Sequence, residues 1–180
     1  AQFSRMCAEA GLAFIGPPPQ TIEAMGDKIA ALRLARAAGV PCVPGSDSIN
    51  EVADALRAAE KIGYPVLLKA SAGGGGRGMR VVLHGAEMDG AMKAAASEAL
   101  AAFGDATLYM DKYIVRARHI EIQVMGDVHG NVGHLGEREC STQRRHQKRI
   151  EESPSLALDD RLREELCQAA VALARGVSYR

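Results

Sequence analysis

Apolar residues recur three and four positions apart in several stretches of the chain, which is the spacing of one face of an α-helix. In residues 50–62 that face consists of Val52, Ala55, Leu56, Ala59 and Ile62. The same spacing predicts helices over about residues 3–10, 21–38 (one helix or a pair), 86–102 and 160–175. Thr21 is the expected N-cap of the second of these, and Asp159 or Asp160 is the expected N-cap of the last.

Other stretches have the composition or the alternation of β-strands. Short apolar runs predict buried strands at 66–68 and 79–83, and further strands at 13–15 and 107–113. From residue 119 the pattern alternates, so that Ile120, Ile122 and Val124 lie on one face and His119, Glu121 and Gln123 on the other. A turn over 126–131 and an apolar run over 132–135 then predict a β-hairpin.

The order of these elements predicts how the chain is divided. From residue 50 it runs helix, strand, strand, helix, strand, which indicates a small α+β unit that could cover a binding site like a lid. Before it, the sequence G-V-P-C-V-P-G at 39–45 predicts an extended linker and a subdomain boundary.

Composition and charge narrow the class of protein. The 180 residues contain 22 Lys and Arg against 22 Asp and Glu, so no net field attracts nucleic acid or a membrane surface. The four cysteines lack C-x-x-C spacing, which argues against a zinc site and a disulfide framework and favours a reducing, cytoplasmic compartment. No apolar run approaches the roughly 20 residues that cross a bilayer. The composition therefore predicts a soluble globular protein.

The glycine-rich segment K-A-S-A-G-G-G-G-R-G-M-R, residues 69–80, is the first candidate for a binding site. Glycines let backbone N–H groups approach a large anion, and Lys69, Arg77 and Arg80 keep the segment positive. We interpret it as a phosphate clamp, with a flexible surface hairpin as the alternative. It lacks the G-x-x-x-x-G-K-[ST] pattern and precedes a strand, so it is neither a P-loop nor a dinucleotide-binding turn.

The second candidate is the charge-dense stretch over residues 136–153. Its charged residues form a basic block with acidic flanks: Glu137, Glu139, Arg144, Arg145, His146, Lys148, Arg149, Glu151 and Glu152. Nucleic-acid binding is disfavoured because aromatic residues for base stacking are absent and the flanking acids cancel the field. We instead predict a loop that holds small anions through Gln143, His146 and Lys148.

Six stretches in one order along the chain carry a family resemblance. They are F-I-G-P (14–17), M-G-D-K (25–28), G-V-P-C-V-P-G (39–45), K-A-S-A-G-G-G-G-R-G-M-R (69–80), R-H-I-E-I-Q-V (118–124) and E-R-E-C-S-T-Q-R-R-H-Q-K (137–148). Together they closely resemble the biotin carboxylase component of the biotin-dependent carboxylases. The resemblance implies an α+β ATP-grasp fold with a small lid subdomain and part of a large lobe. Residues 1–41 would end the N-terminal biotin carboxylase domain, 42–113 would form the lid, and 114–180 would begin the large lobe.

The resemblance also implies roles for individual residues. Lys28 and Lys69 would contact the nucleotide phosphates, and the glycines of the clamp would fold over them. This chain has Asp111 where the family usually has Glu, in a segment whose backbone would pair with adenine. Lys148 would help to hold bicarbonate, and Glu121 would at most support it. The implied ATP-binding residues are Lys28, Lys69, Gly75, Gly76, Asp111, Lys112, Tyr113, Ile114, His119, Gln143 and His146.

The implied reaction is the ATP-dependent carboxylation of biotin by bicarbonate through carboxyphosphate, with Mg²⁺ as the metal. The expected partners are a biotin carboxyl carrier protein or domain and a carboxyltransferase component, and the intact enzyme is expected to be a homo-oligomer. The family's metal-binding glutamates and catalytic arginine lie in a later segment, so we expect a fragment truncated at both ends that does not turn over ATP alone. Two alternatives stay open: a non-catalytic nucleotide-binding module, and another ATP-grasp ligase that activates a different carboxylate.

Overall fold

The computed structural model describes residues 1–72, 77–144 and 147–180, which form two compact units. The first unit comprises Ala1–Cys42, Arg118–Arg144 and Lys148–Arg180, and the second consists mainly of Val43–Ala117. In chain order the elements are α1 (Gln2–Glu9), α2 (Pro19–Gly26), α3 (Lys28–Ala37), α4 (Val52–Ile62), β1 (Val66–Ala70), β2 (Arg80–Val82), α5 (Met88–Phe103), β3 (Leu108–Lys112), β4 (Ile120–Gly126), β5 (Val132–Arg144), β6 (Gln147–Glu152) and α6 (Asp160–Gly176).

The second unit is an antiparallel sheet, in the order β2-β1-β3, covered by α4 and α5. Alternate residues of the central strand β1 are buried, and Leu68 lies opposite Met110 of β3. Small residues on the helices, such as Ala55 and Ala95, let them approach this layer closely, and Met88 fills part of the remaining space. This core holds β1 and β3 side by side, with their polar residues Lys69 and Asp111 on neighbouring strands.

The first unit is built on a second sheet, in the order β4-β5-β6, in which β4 and β5 are antiparallel and α6 packs on both of them. The predicted turn is present: the Asp127 carboxylate accepts hydrogen bonds from the backbone N–H groups of His129 and Asn131, both at 2.9 Å. Val124 and Val132 pack against Val171 of α6, as the alternating pattern predicts. The register shifts between residues 122 and 124, so the alternation is interrupted within β4.

Two aspartates set the starts of helices in the first unit. The Asp27 side chain accepts hydrogen bonds from the N–H groups of Ile29 at 2.8 Å and Ala30 at 3.0 Å, so α3 begins immediately after α2 ends. Asp159 caps α6 through the N–H of Leu162 at 2.7 Å, as predicted. Among the helices of the described residues, none combines the length and the apolar character needed to cross a bilayer.

Three local predictions are wrong. Thr21 does not cap α2, because the helix already begins at Pro19 and the Thr21 hydroxyl donates to the Val177 carbonyl at 2.9 Å. Residues 13–15 form no strand, and Ile15 is 100% exposed. The charge-dense stretch is not a loop: β5 continues to Arg144 and β6 follows, because its charged side chains find partners on neighbouring strands.

Candidate functional site

Lys69 of the second unit is held in a fixed position by its neighbours on β3. Its ammonium lies 2.7 Å from Oδ2 of Asp111 and 5.8 Å from the centre of the Tyr109 ring. The side chains of Lys69 and Asp111 are 29% and 11% exposed, so the pair is partly shielded from water. Burial raises the pKa of Tyr109 to about 12, which keeps its phenol neutral. The predicted contacts of Gly75 and Gly76 fall outside the described residues.

The segment 111–114 is fixed mainly through its backbone. The N–H of Lys112 donates to the Pro44 carbonyl at 2.8 Å, and its ammonium donates to the Gly63 and Tyr64 carbonyls, both at 2.8 Å. A Cβ atom at Gly45 would lie 2.8 Å from the backbone carbonyl oxygen of Met110 and 2.4 Å from Oδ1 of Asp111, so this approach requires glycine. The Lys112 side chain therefore has a structural role, because its ammonium is already bonded to two carbonyls.

His119 and Gln143 of the first unit contact each other directly. Nε2 of Gln143 lies 2.6 Å from Nδ1 of His119 and 2.9 Å from the Cys140 carbonyl, to which it donates. With the amide nitrogen as the donor, Nδ1 accepts, and the tautomer that fits this contact carries its proton on Nε2. The structure thus brings two of the predicted residues together and leaves the imidazole N–H as a donor for an oxygen ligand.

Lys148 forms a hydrogen-bonded ion pair with Glu121. Hydrogen bonds from Lys148 and from the Cys140 thiol, the latter at 3.0 Å, lower the pKa of Glu121, while the bond to Glu121 raises the pKa of Lys148. Burial raises the pKa of the Cys140 thiol, which keeps it protonated. Lys148 is therefore a charged donor near neutral pH, and Glu121 is the carboxylate that pairs with it.

The cluster around Glu121 also contains possible metal ligands. Ligand atoms of Glu121, Cys140 and Glu151 lie within 4.8 Å of one another. However, Lys148 contacts Glu121, and Nε of Arg138 lies 3.5 Å from Oε2 of Glu151. Since the carboxylates already have cationic partners, these residues do not fit a divalent metal ion.

Three further residues were predicted to contact the nucleotide. Lys28 is half-buried at the first position of α3, where the Asp27 cap fixes the backbone around it. Ile114 is exposed beyond the end of β3. His146 lies outside the described residues.

Two buried glutamates on β5, Glu137 and Glu139, were interpreted from the sequence only as flanking acids. Glu137 is 3% exposed and accepts a hydrogen bond from Nε of Arg163 on α6 at 2.8 Å. Glu139 is 7% exposed, and Nη1 of Arg118 lies 2.5 Å from its Oε1. Their spacing of two residues on a strand was the available signal, but their partners are too distant in sequence to be predicted.

The contacts of the two buried glutamates predict that the free energy of unfolding depends on pH. Hydrogen bonds from Arg163 to Glu137, and from Ser155 and Arg118 to Glu139, lower the pKa of each carboxyl in the folded state. Their stabilisation is complete above the unfolded pKa of about 4.3 and is lost as the pH falls through the lower folded pKa. We expect urea unfolding to show a fall in the free energy of unfolding below about pH 4, and a shallower fall in Glu137→Gln. The exposed-site variant Glu9→Gln is the control, and an equally shallow curve for it would contradict the prediction.

Comparison with known families and proteins gives consistent matches. The family model for the carbamoyl-phosphate synthase L chain, ATP binding domain, matches residues 27–180. The biotin carboxylase of Halalkalibacterium halodurans is 50% identical over 181 residues, covering 100% of this chain and 40% of the relative.

Solved structures match over nearly the whole chain. The crystal structure of a biotin carboxylase–β,γ-ATP complex from Campylobacter jejuni has a TM-score of 0.94 at 50% identity. The biotin carboxylase domain dimer of the Hydrogenobacter thermophilus 2-oxoglutarate carboxylase, in complex with MgADP, ADP and bicarbonate, has a TM-score of 0.91 at 50% identity. Each match covers 99% of this chain and 40% of the solved chain, so the sequence spans less than half the length of these relatives.

Proposed function

This chain belongs to the family of carbamoyl-phosphate synthase L chain ATP-binding domains, and from that membership we propose that the protein carboxylates biotin with ATP and bicarbonate. The observation that carries the proposal is the first unit's arrangement of donors: Lys148 fixed by Glu121, and His119 fixed by Gln143. The 50% identity to a biotin carboxylase supports it.

The reaction that we propose brings two anions together. A bicarbonate oxygen attacks the γ-phosphorus of ATP, and the bond to the ADP oxygen breaks. The ureido nitrogen of biotin then takes the carboxyl group of the resulting carboxyphosphate and loses its proton, and the C–O bond to phosphate breaks to release inorganic phosphate. Positive donors held in place before the reaction lower the cost of this encounter. Lys148 is the donor that we assign to bicarbonate, because its own partner keeps it charged and oriented. Mg²⁺ would add further charge neutralisation, but the acids around Lys148 do not fit it, so we assign it no ligand here.

The nucleotide contacts are part of the same proposal. We assign Lys69, the glycine clamp and Lys28 to the phosphates, the segment 111–114 to adenine, and His119, Gln143 and His146 to ribose and phosphates. In domain terms, residues 42–113 would be the lid and 114–180 the start of the large lobe. The fixed position of Lys69 beside Asp111 supports its assignment, because an ordered ammonium loses little freedom on binding phosphate.

The partners and location follow from the same assignment. We propose a biotin carboxyl carrier protein or domain, a carboxyltransferase component, a homo-oligomeric assembly and a cytoplasmic location. The 2-oxoglutarate carboxylase relative, whose biotin carboxylase domain is a dimer, supports the assembly.

The test is phosphate release from MgATP by the full-length protein. Release should require bicarbonate and rise when free biotin is added. ATP binding without release would instead favour a non-catalytic nucleotide-binding module. Release stimulated by a different carboxylate would favour another ATP-grasp ligase.

The glycine clamp gives a second prediction. The double variant Gly75→Val and Gly76→Val should reduce biotin carboxylation about tenfold, because side chains block the approach of backbone N–H groups to phosphate. Gly90→Val, on the surface of α5 with no atom near a new Cβ, controls for the change of glycine itself. Full activity of the double variant would remove the clamp from the mechanism.

A further inference from the structure

Glu139 of the first unit makes more contacts than a buried ion pair requires. Its Oε1 accepts a hydrogen bond from Arg118 at 2.5 Å and one from the Ser141 hydroxyl at 3.1 Å. Its Oε2 accepts a hydrogen bond from the hydroxyl of Ser155, which is itself buried. A carboxylate with three donors in a buried place has one preferred orientation, since any rotation leaves a donor or an oxygen unpaired.

Two of these contacts lead to His119. The backbone N–H of His119 donates to the Ser141 hydroxyl at 3.0 Å, and that hydroxyl donates to Glu139. Arg118, the residue immediately before His119, is held by the same carboxylate oxygen. On the other side, the carbonyl of His119 accepts from the Cys140 N–H at 2.7 Å. His119 is exposed, so hydrogen bonds rather than packing fix its position.

We propose that Glu139 is a positioning residue that, through Ser141 and Arg118, holds His119 in the orientation in which its ring meets Gln143. The inference rests on the proposed function, in which His119 and Gln143 contact the nucleotide. A hydroxyl that donates to a carboxylate becomes a better acceptor, so the negative charge strengthens the bond to the His119 N–H. Neutral glutamine at position 139 loses that effect and must offer its amide to one of the three donors.

Glu137 is a matched control on the same strand. It is equally buried and also bonded to an arginine, through Nε of Arg163 at 2.8 Å, and to the N–H of Ser155 at 3.1 Å. The two glutamates share Ser155, whose N–H bonds Glu137 and whose hydroxyl bonds Glu139, but in the described residues the hydrogen bonds of Glu137 itself reach neither Ser141 nor His119. The pair Glu137→Gln and Glu139→Gln therefore separates loss of a buried carboxylate from loss of the link to His119.

The experiment uses the full-length protein and two kinds of measurement. We expect Glu139→Gln to raise KM for MgATP about tenfold with a smaller change in kcat, and Glu137→Gln to leave KM within about twofold. Ser141→Ala should raise KM in the same direction, and Glu139→Asp, which keeps the charge, should lie closer to the unsubstituted protein than Glu139→Gln. Independently of activity, the imidazole nitrogen resonances of His119, assigned with His119→Gln in protein labelled with ¹⁵N-histidine, should shift in Glu139→Gln and Ser141→Ala but not in Glu137→Gln.

The outcomes separate this inference from the proposed function. Unchanged His119 resonances in both Glu139→Gln and Ser141→Ala, or an equal rise of KM in Glu137→Gln, would overturn the positioning role. Absence of ATP turnover in the unsubstituted protein would overturn the proposed function, while the resonances would still decide the positioning. If Glu139→Gln does not fold, Ser141→Ala carries the test, because Ser141 is exposed and its truncation creates no cavity.

Discussion

Lys148→Gln in the full-length protein should lower bicarbonate-dependent ATP hydrolysis by about 100-fold and change the dissociation constant for MgATP by less than about threefold. Glutamine keeps the polar end and nearly the length of the side chain but removes its charge. The charge matters most when bicarbonate and the γ-phosphate approach each other, so the loss falls on turnover rather than on nucleotide affinity. Initial rates at varied bicarbonate, with calorimetry of MgATP binding, measure the two effects separately.

Lys93→Gln is the matched control for this prediction. Lys93 also pairs with a carboxylate, that of Asp89 at 2.7 Å, but the pair is exposed on α5, where such pairs contribute little. Its substitution should leave both quantities within about twofold. A Lys148→Gln protein with normal turnover, or one that loses nucleotide affinity and turnover equally, would contradict the assignment of Lys148 to bicarbonate.

Much of the fold was predictable because local pattern and tertiary packing agree. The spacing in α4 buries residues that the sequence selects, such as Ala55 and Ala59, and Val124 on the predicted apolar face of β4 is partly buried against α6. The predicted family resemblance and α+β ATP-grasp fold are confirmed by relatives at 50% identity and by a solved structure with a TM-score of 0.94.

The charge-dense stretch shows where pattern reasoning fails. Its composition favours a loop, but strand pairing decides the outcome, because Arg138 reaches Gln123 on β4 and Glu151 on β6. Once such partners are available, charged residues no longer need full exposure to water. The buried state of Glu137 and Glu139 could not be predicted, since it depends on Arg163 and Ser155, which the sequence does not connect to them.

Lys69 and Asp111 show the same limit. The sequence identifies Lys69 as a phosphate contact and Asp111 as a departure from the family pattern, but nothing in it pairs the two. The pairing arises because β1 and β3 are antiparallel neighbours in this register. Whether the Asp111 carboxylate also meets a nucleotide stays a prediction.

Lys69→Met should weaken MgATP binding by the full-length protein about 30-fold, because methionine keeps the apolar stem and removes the charge that we assign to phosphate. It should also lower the free energy of unfolding of the second unit by about 2 kcal/mol, since Asp111 is left partly buried without its cation. That figure lies below the range for fully buried pairs because Lys69 retains 29% exposure.

Asp111→Asn separates the two roles of Lys69. In the double variant Lys69→Met and Asp111→Asn the uncompensated carboxylate is gone, so part of the lost stability should return while nucleotide affinity stays low. Lys61→Met, at the exposed end of α4 in the same unit, should change neither quantity appreciably. Chemical unfolding and calorimetric titration with MgATP measure both for each variant. If the affinity for MgATP recovers together with stability in the double variant, Lys69 acts only by supporting the sheet, and its assignment to phosphate is wrong.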